Sequence, residues 1–413
     1  MAARAEVAVA ATDPKVFHVH RRSRLSRRDF SCLVAGLGAL AARQASAQSF
    51  VDVRYLDYQE SNGRIHVQEP IMLLHQDLGA TLGLVDLTLT QDTISGASPT
   101  GAYPTTTVST TTGASGGSST TASGQIHLQP MQDVRKAIGL SYSRKFGAHL
   151  PTVDLSVSTE HDYVSHTYGI SDQWTLFEGR GTLHYGLSVS KDMVDPILTQ
   201  LHLPKRSNSY ALGWTWVLGE YDLLDISATL TKLHGDLDEP YLIVPVGTVS
   251  APDHRPDARS RQAYLLKYGH CFEWDGAIKG SYRFYKDDWG LHANTLDFTY
   301  DQHIDDGWIL SPRLRWYSQN GASFYGASFT KAQPYASADY RLSPMSNWLV
   351  GLLVSNEIVD GLTLSLGATF QQQTGKDRLT PLATSTSQGV IGSDTSPADF
   401  NTNTIMVGLK WRF

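Results

Sequence analysis

From Phe50 to Phe413 apolar side chains recur at every second position in segment after segment. A period of two is the signature of strands that bury one face only. In the last segment Ile405, Val407, Leu409, Trp411 and Phe413 share a face, and Met406, Gly408, Lys410 and Arg412 form the other. Leu362, Leu364, Leu366, Ala368 and Phe370 alternate with Thr363, Ser365, Gly367, Thr369 and Gln371. Tyr210, Leu212, Trp214 and Trp216 alternate with Ser209, Ala211, Gly213 and Thr215. A soluble sandwich would show Lys and Glu on its water face. Here the polar faces are mostly Gly, Ser and Thr with scattered charges. The apolar faces carry aromatics near strand ends: Trp308 and Trp316, Tyr210 and Trp216, Trp411 and Phe413. An outward apolar band edged by aromatics is how a transmembrane barrel meets lipid.

Composition narrows the alternatives. The chain is 18% charged, against roughly 25% in an average soluble domain. Its mean hydropathy is −0.24, and beyond the N-terminal region it has no apolar run of the roughly 20 residues a membrane helix needs. A helical membrane protein is excluded; a barrel, whose apolar residues are diluted by alternation, is not. The net charge of −6 and the lack of a basic stripe exclude nucleic acid as a partner. Two cysteines exclude a disulfide scaffold.

Residues 1–48 read as a cleavable export signal. A basic stretch, Arg21 to Arg28, precedes the uncharged run Ser31 to Ala42, and Ala45-Ser46-Ala47 forms a small-residue cleavage site before Gln48. Ser26-Arg27-Arg28-Asp29-Phe30 resembles a twin-arginine signal. Removing residues 1–47 removes eight basic and three acidic residues, which leaves −11 and a single cysteine, Cys271. Residues 49–413 are then expected to form one transmembrane antiparallel β-barrel in the bacterial outer membrane, with lipid as its surroundings.

The strand count is checked by where the long connections fall. About sixteen strands can be placed, an even number, as single-chain bacterial barrels require. Short turns such as Gly147-Ala148, Gly179-Arg180, Trp274-Asp275-Gly276, Asp305-Asp306-Gly307 and Asp360-Gly361 follow every second strand, the periplasmic side. The long connections 93–133, 193–206, 235–259, 319–347 and 374–402 fall on the other, external side. Tyr335–Leu342 looks strand-like, but counting it as a spanning strand breaks the parity, so it belongs to an external loop. The Ser/Thr/Gly tract in loop 93–133 cannot bury enough apolar surface to order itself.

The same parity sorts charges by face. Ile278, Tyr282 and Phe284 face out, so Lys279 and Arg283 face the lumen; Leu296, Phe298 and Tyr300 face out, so Asp297 and Asp301 face in; Leu310, Leu314 and Trp316 face out, so Arg313 and Arg315 face in. A three-residue hairpin at Asp305-Asp306-Gly307 would set Ile304 beside Trp308 and Asp297 beside Arg315. Asp86, Asp92, Asp154 and Glu160 also face inward. These lumen-lining charges either form a constriction that selects solutes or pair to stabilise a wet interior. A mixed-sign wall predicts weak ion selectivity.

No enzyme is expected. There is no H-E-x-x-H and no Cys/His metal spacing, and no cofactor is implied. His161, His166 and His303 read as interface or turn residues, and Cys271 as a packing residue. Leu409, Trp411 and Phe413 resemble the C-terminal signal by which the barrel-assembly machinery recognises outer-membrane barrels.

The segments Asp92-Thr93-Ile94-Ser95-Gly96-Ala97-Ser98-Pro99-Thr100-Gly101-Ala102, Arg64-Ile65-His66-Val67-Gln68-Glu69-Pro70 and Ser337-Ala338-Asp339-Tyr340-Arg341-Leu342-Ser343-Pro344 resemble the domain of unknown function 3570 family. The resemblance spans nearly all of the exported chain. It implies an exported barrel-like protein and an association with periplasmic redox or flavin-transfer proteins, and it supplies no catalytic residues. The functional expectation is an outer-membrane barrel of unassigned substrate, acting as a channel or as the membrane partner of a periplasmic system. An outer-membrane enzyme or a structural barrel whose loops bind partners is the alternative.

Overall fold

The computed structural model describes residues 49–99, 109–112, 118–121, 128–197, 201–304, 307–377 and 396–413. The expected export signal lies outside the described residues. Sixteen strands form the barrel: β1 (Phe50–Glu60), β2 (His66–Asp77), β3 (Leu84–Pro99), β4 (Leu128–Ser143), β5 (Thr152–Thr159), β6 (Tyr163–Leu176), β7 (Gly181–Val194), β8 (Leu203–Val217), β9 (Asp222–Gly235), β10 (Ala258–Cys271), β11 (Gly276–Asp287), β12 (His292–Ile304), β13 (Trp308–Gln319), β14 (Met345–Val359), β15 (Leu362–Gly375) and β16 (Phe400–Arg412). Each pairs antiparallel with its neighbours in sequence, and β16 pairs with β1 to close the ring. Closure removes the free edges that an open sheet would expose. No helix among the described residues is long and apolar enough to cross a membrane.

The alternation survives around the whole circle. The face that carries Asp297 can be followed through the register around the ring and back to its start, predominantly polar but with apolar members such as Leu349 and Ile71. The other face presents the apolar rows to the surroundings: Leu212 is 57% exposed and Ile405 60%. Such exposure, running from β4 round to β16, has no place in a water-soluble protein, whereas on β1–β3 the outward-facing Val51, Met72 and Leu89 are buried. Trp411 is likewise exposed and its ring lies 5.3 Å from that of Phe413. Phe413 packs with Val51, Met72 and Leu89 across the closing seam.

One boundary differs from the sequence reading. β3 runs on to Pro99 and β4 begins at Leu128, so the connection expected over 93–133 is shorter by the paired segments. Thr93 pairs with Val134 and Pro99 with Leu128. These segments lack apolar alternation, yet ladder hydrogen bonds do not require it. At Gly96, in the first of them, φ is +110° and an added Cβ would collide with the Arg64 carbonyl, so only glycine fits this close approach. Within the Ser/Thr/Gly tract, Ser109–Thr112 pairs with Ser118–Thr121 as a two-stranded ribbon. Tyr335–Leu342 is not a spanning strand: Tyr340–Leu342 is a 3-10 turn inside the β13–β14 loop.

Candidate functional site: the lumen wall and its cap

The wall is built by the register. Thr215, Asp225, Lys267, Ser281, Asp297 and Arg315 follow one another directly across β8 to β13. Asp297 is the hub of the expected charge band. It accepts from Arg313 Nε at 3.0 Å and Nη2 at 2.5 Å, and from Arg315 Nε at 2.7 Å. Lys279 Nζ lies 2.5 Å from Asp301. Ser281, not Arg283, stands directly opposite Asp297, and Arg283 is diagonal to it, paired with Thr295. Arg283 makes no ion pair among the described residues; its guanidinium lies 5.5 Å from the centre of the Tyr285 ring. Asp297 pairs with Arg315 and Ile304 with Trp308, the register expected from the hairpin.

Charge is not spread evenly around the wall. The inner face of β1–β7 carries Asp52, Glu60, Glu69, Asp77, Asp86, Asp92, Asp133, Asp154 and Asp192 against Arg54 and Arg135. The inner face of β10–β13 carries Arg259, Arg261, Lys267, Lys279, Arg283, Arg313 and Arg315 against Asp287, Asp297 and Asp301. In a ring of sixteen these two arcs face each other. Local pairs reduce the imbalance without removing it: Asp92 with Arg135, Asp52 with Arg54 at 2.6 Å, and Arg259 with Asp287 at 2.5 Å. Between the arcs, the His184 ring reaches over Gly213, where a Cβ would collide with it, and Nε2 lies 2.8 Å from Asp225, which also accepts from Thr215.

Sequence periodicity missed a second assembly, at the long-loop end. Loops 236–257 and 320–344 fold over the mouth and against each other. Val246 bridges Phe329, and His254 bridges Ala336. Val244 is fully buried with Ala336 and Ala338. Phe324 and Leu342 of the second loop pack on Trp289, Leu291 and the inward-facing Ala293, Tyr285 and Tyr317. That loop also reaches the closing seam, where the Arg64 guanidinium lies 4.9 Å from the Tyr340 ring centre and 4.3 Å from that of Phe400. From the first loop, the Tyr241 hydroxyl donates to Asp162 at 2.5 Å, in the β5–β6 turn. The two loops thus span from one side of the ring to the other.

Five charged side chains lock them. Arg255 donates to Asp253 at 2.6 Å and to Asp339 at 3.0 Å; Arg341 donates to Asp339 at 2.8 Å and to Glu239 at 2.9 Å. The Asp253 side chain is fully buried and that of Asp339 is 3% exposed. Burial would raise Asp339, but Arg341 and Arg255 outweigh it and hold its carboxyl far below the usual range. Burial raises Glu239 and Asp253 despite the same arginines. Near this cap Asp133, Glu160 and Asp162 bring carboxylate oxygens within 4.8 Å of one another; their separation in sequence hid the cluster. Cys271 is exposed at the end of β10, on the inward-facing row with Lys267 and Gly269.

A closed barrel of this kind, apolar outside and charged within, is porin-like in fold. The chain belongs to a family of proteins of unknown function, DUF3570, matching it over residues 32–210 and 199–403. No curated protein matches it in sequence. Among solved structures it resembles the siderophore receptor PirA of Pseudomonas aeruginosa, with 9% identity and a TM-score of 0.42, covering 89% of this chain and 63% of the receptor. The chain therefore spans less than two thirds of that protein's length. It also resembles an anion-selective porin from Comamonas acidovorans, with 11% identity and a TM-score of 0.37, covering 90% of this chain and all of the porin. A bacterial polysaccharide outer membrane secretin aligns at 8% identity and a TM-score of 0.45 over 90% of this chain and all of the other.

Proposed function

We propose that the protein is an outer-membrane channel that conducts small polar solutes, with the loop pair 236–257 and 320–344 as its external cap. The reading rests on one observation: around a closed ring the outward face is predominantly apolar, and the inward face predominantly Gly, Ser, Thr and charged side chains. The outer band suits lipid and the inner wall suits water. Transport rather than catalysis fits a wall whose charges form ion pairs spread over many strands. The test has two parts. The exported protein should be recovered with outer membranes and migrate differently before and after heating in detergent. Reconstituted in planar bilayers, it should give discrete conductance steps. Recovery as a soluble periplasmic protein, or bilayers that stay silent, would overturn the reading.

A further inference from the structure

The opposed arcs of the lumen wall say more than that solutes pass. On the side of β10–β13 a single carboxylate, Asp297, serves two arginines, Arg313 and Arg315. Arg283, one step along the neighbouring strand, makes no ion pair among the described residues and lies over the Tyr285 ring instead. That side therefore has cationic charge left over. On the other side Asp154 of β5 is set between Ser141 and Gly169, the two smallest kinds of neighbour the register could give it. Neither contributes a counter-charge, and among the described residues Asp154 has no ion-pair partner. β5 and β11 stand six strands apart in the ring of sixteen, so Asp154 and Arg283 look into the lumen from well-separated sides.

Two walls of opposite sign have a different consequence from one ring of a single sign. A single-sign ring attracts one kind of ion and repels the other. Opposed walls attract little net charge, but they set up a field across the lumen, and low-dielectric walls concentrate it. A simple anion or cation is drawn to one wall and gains nothing from the other. A solute with both an ammonium and a carboxylate group can face each wall with the matching end.

We propose that the preferred solutes are small zwitterions, oriented with the carboxylate toward Arg283 and the ammonium toward Asp154. This rests on the channel reading above and adds a solute class to it. The test compares two isomers of identical composition in proteoliposome swelling at pH 7: glycine, a zwitterion, and glycolamide, which is neutral. Glycine should enter faster by about threefold, the size of a water-screened attraction of one end to its wall while the other end points across the lumen. Arg283→Gln and Asp154→Asn should each bring the ratio toward one while salt conductance in planar bilayers persists. Equal entry of the two isomers into vesicles of the unaltered protein, with conductance present, overturns the zwitterion proposal and leaves the channel standing. A preference that survives in both variants also overturns it, because the field would then not come from these walls. Silence in both assays instead removes the channel reading itself. The isomer comparison needs no variant, so a variant that fails to assemble does not protect the proposal.

Discussion

Replacing Asp339 by Asn should unlock the external cap. Asp339 is the one carboxylate that both cap arginines share, Arg255 at 3.0 Å and Arg341 at 2.6 Å. It also accepts from the Arg341 backbone N–H at 3.0 Å, which caps the 3-10 turn Tyr340–Leu342. The amide keeps the shape and loses the charge, so two guanidinium groups are left facing each other with only Glu239 and Asp253 to balance them. Breaking a buried pair by removing one partner costs about 3–5 kcal/mol. Arg341 remains 26% exposed at its side chain, so the lower end applies. About 3 kcal/mol corresponds to roughly a 150-fold shift in a two-state equilibrium. The cap rather than the barrel should carry the loss, because the wall is held separately by strand ladders. The readout is maleimide labelling of Ala336→Cys, a position 8% exposed between the loops, in a Cys271→Ser background. The labelling rate should rise by at least about tenfold with Asp339→Asn, allowing for relaxation, while the heat-dependent gel shift of the barrel is retained. An unchanged labelling rate would refute the idea that this network holds the loops together. A lost gel shift would show that cap and barrel are one cooperative unit.

Three further outcomes follow from the same geometry. The cap should be tightest near the ordinary carboxylate range, about pH 4: Asp339, depressed by its arginines, contributes stability that disappears as the pH falls below that range, whereas Glu239 and Asp253, raised by burial, contribute stability that disappears as the pH rises through their elevated values. Spin labels at Thr248 and Ser328, one on each loop, should therefore report their shortest and narrowest distance near pH 4 and a longer or broader one as the pH is raised, and a flat profile across the titration would contradict the assignment. Leu212→Lys should lower the urea midpoint of the assembled barrel by an amount equivalent to about 2–4 kcal/mol, while Ala211→Lys one position away should cost far less, because only the first lies on the outward apolar face; equal costs would mean the faces are misassigned. Gly96→Ala should cost upwards of about 2 kcal/mol, combining left-handed strain with collision against the Arg64 carbonyl, and a near-neutral urea midpoint would show that the turn at Arg64 relaxes freely.

The barrel was legible in the sequence because its physics is periodic. A residue such as Leu364 or Val407 must face out and Ser365 or Gly408 in, and a strand that slipped by one would invert every side chain. Short turns after every second strand then fixed the count. The extensions Thr93–Pro99 and Leu128–Asp133 escaped notice because they are held by backbone pairing, which leaves no trace in polarity. The cap escaped for a related reason. Glu239, Asp253, Arg255, Asp339 and Arg341 lie in two loops about 85 to 100 residues apart in sequence, and nothing periodic ties an arginine in one to an aspartate in the other. One signal was present: Asp339 and Arg341 fall inside the Ser337–Pro344 segment that carries the family resemblance.

The charge of the wall was half legible, and the missing half changes the chemistry. Parity correctly sends Asp86, Asp92 and Asp154 and also Lys279, Arg283, Asp297, Arg313 and Arg315 to the polar face, and a list of those residues looks like a mixture. Only ring closure, β16 onto β1, turns distance along the chain into position around the lumen, so that acids early in the sequence confront bases some 125 to 230 residues later. A mixture would be structurally neutral, since each charge could find its partner next door. Separation denies Arg283 and Asp154 such partners and holds them apart across water. A fold that needed only to stabilise its interior would gain by pairing them, because an unpaired charge on a lumen wall contributes nothing to stability that its pairing would not improve. The arrangement therefore makes most physical sense as one acting on what passes between the walls.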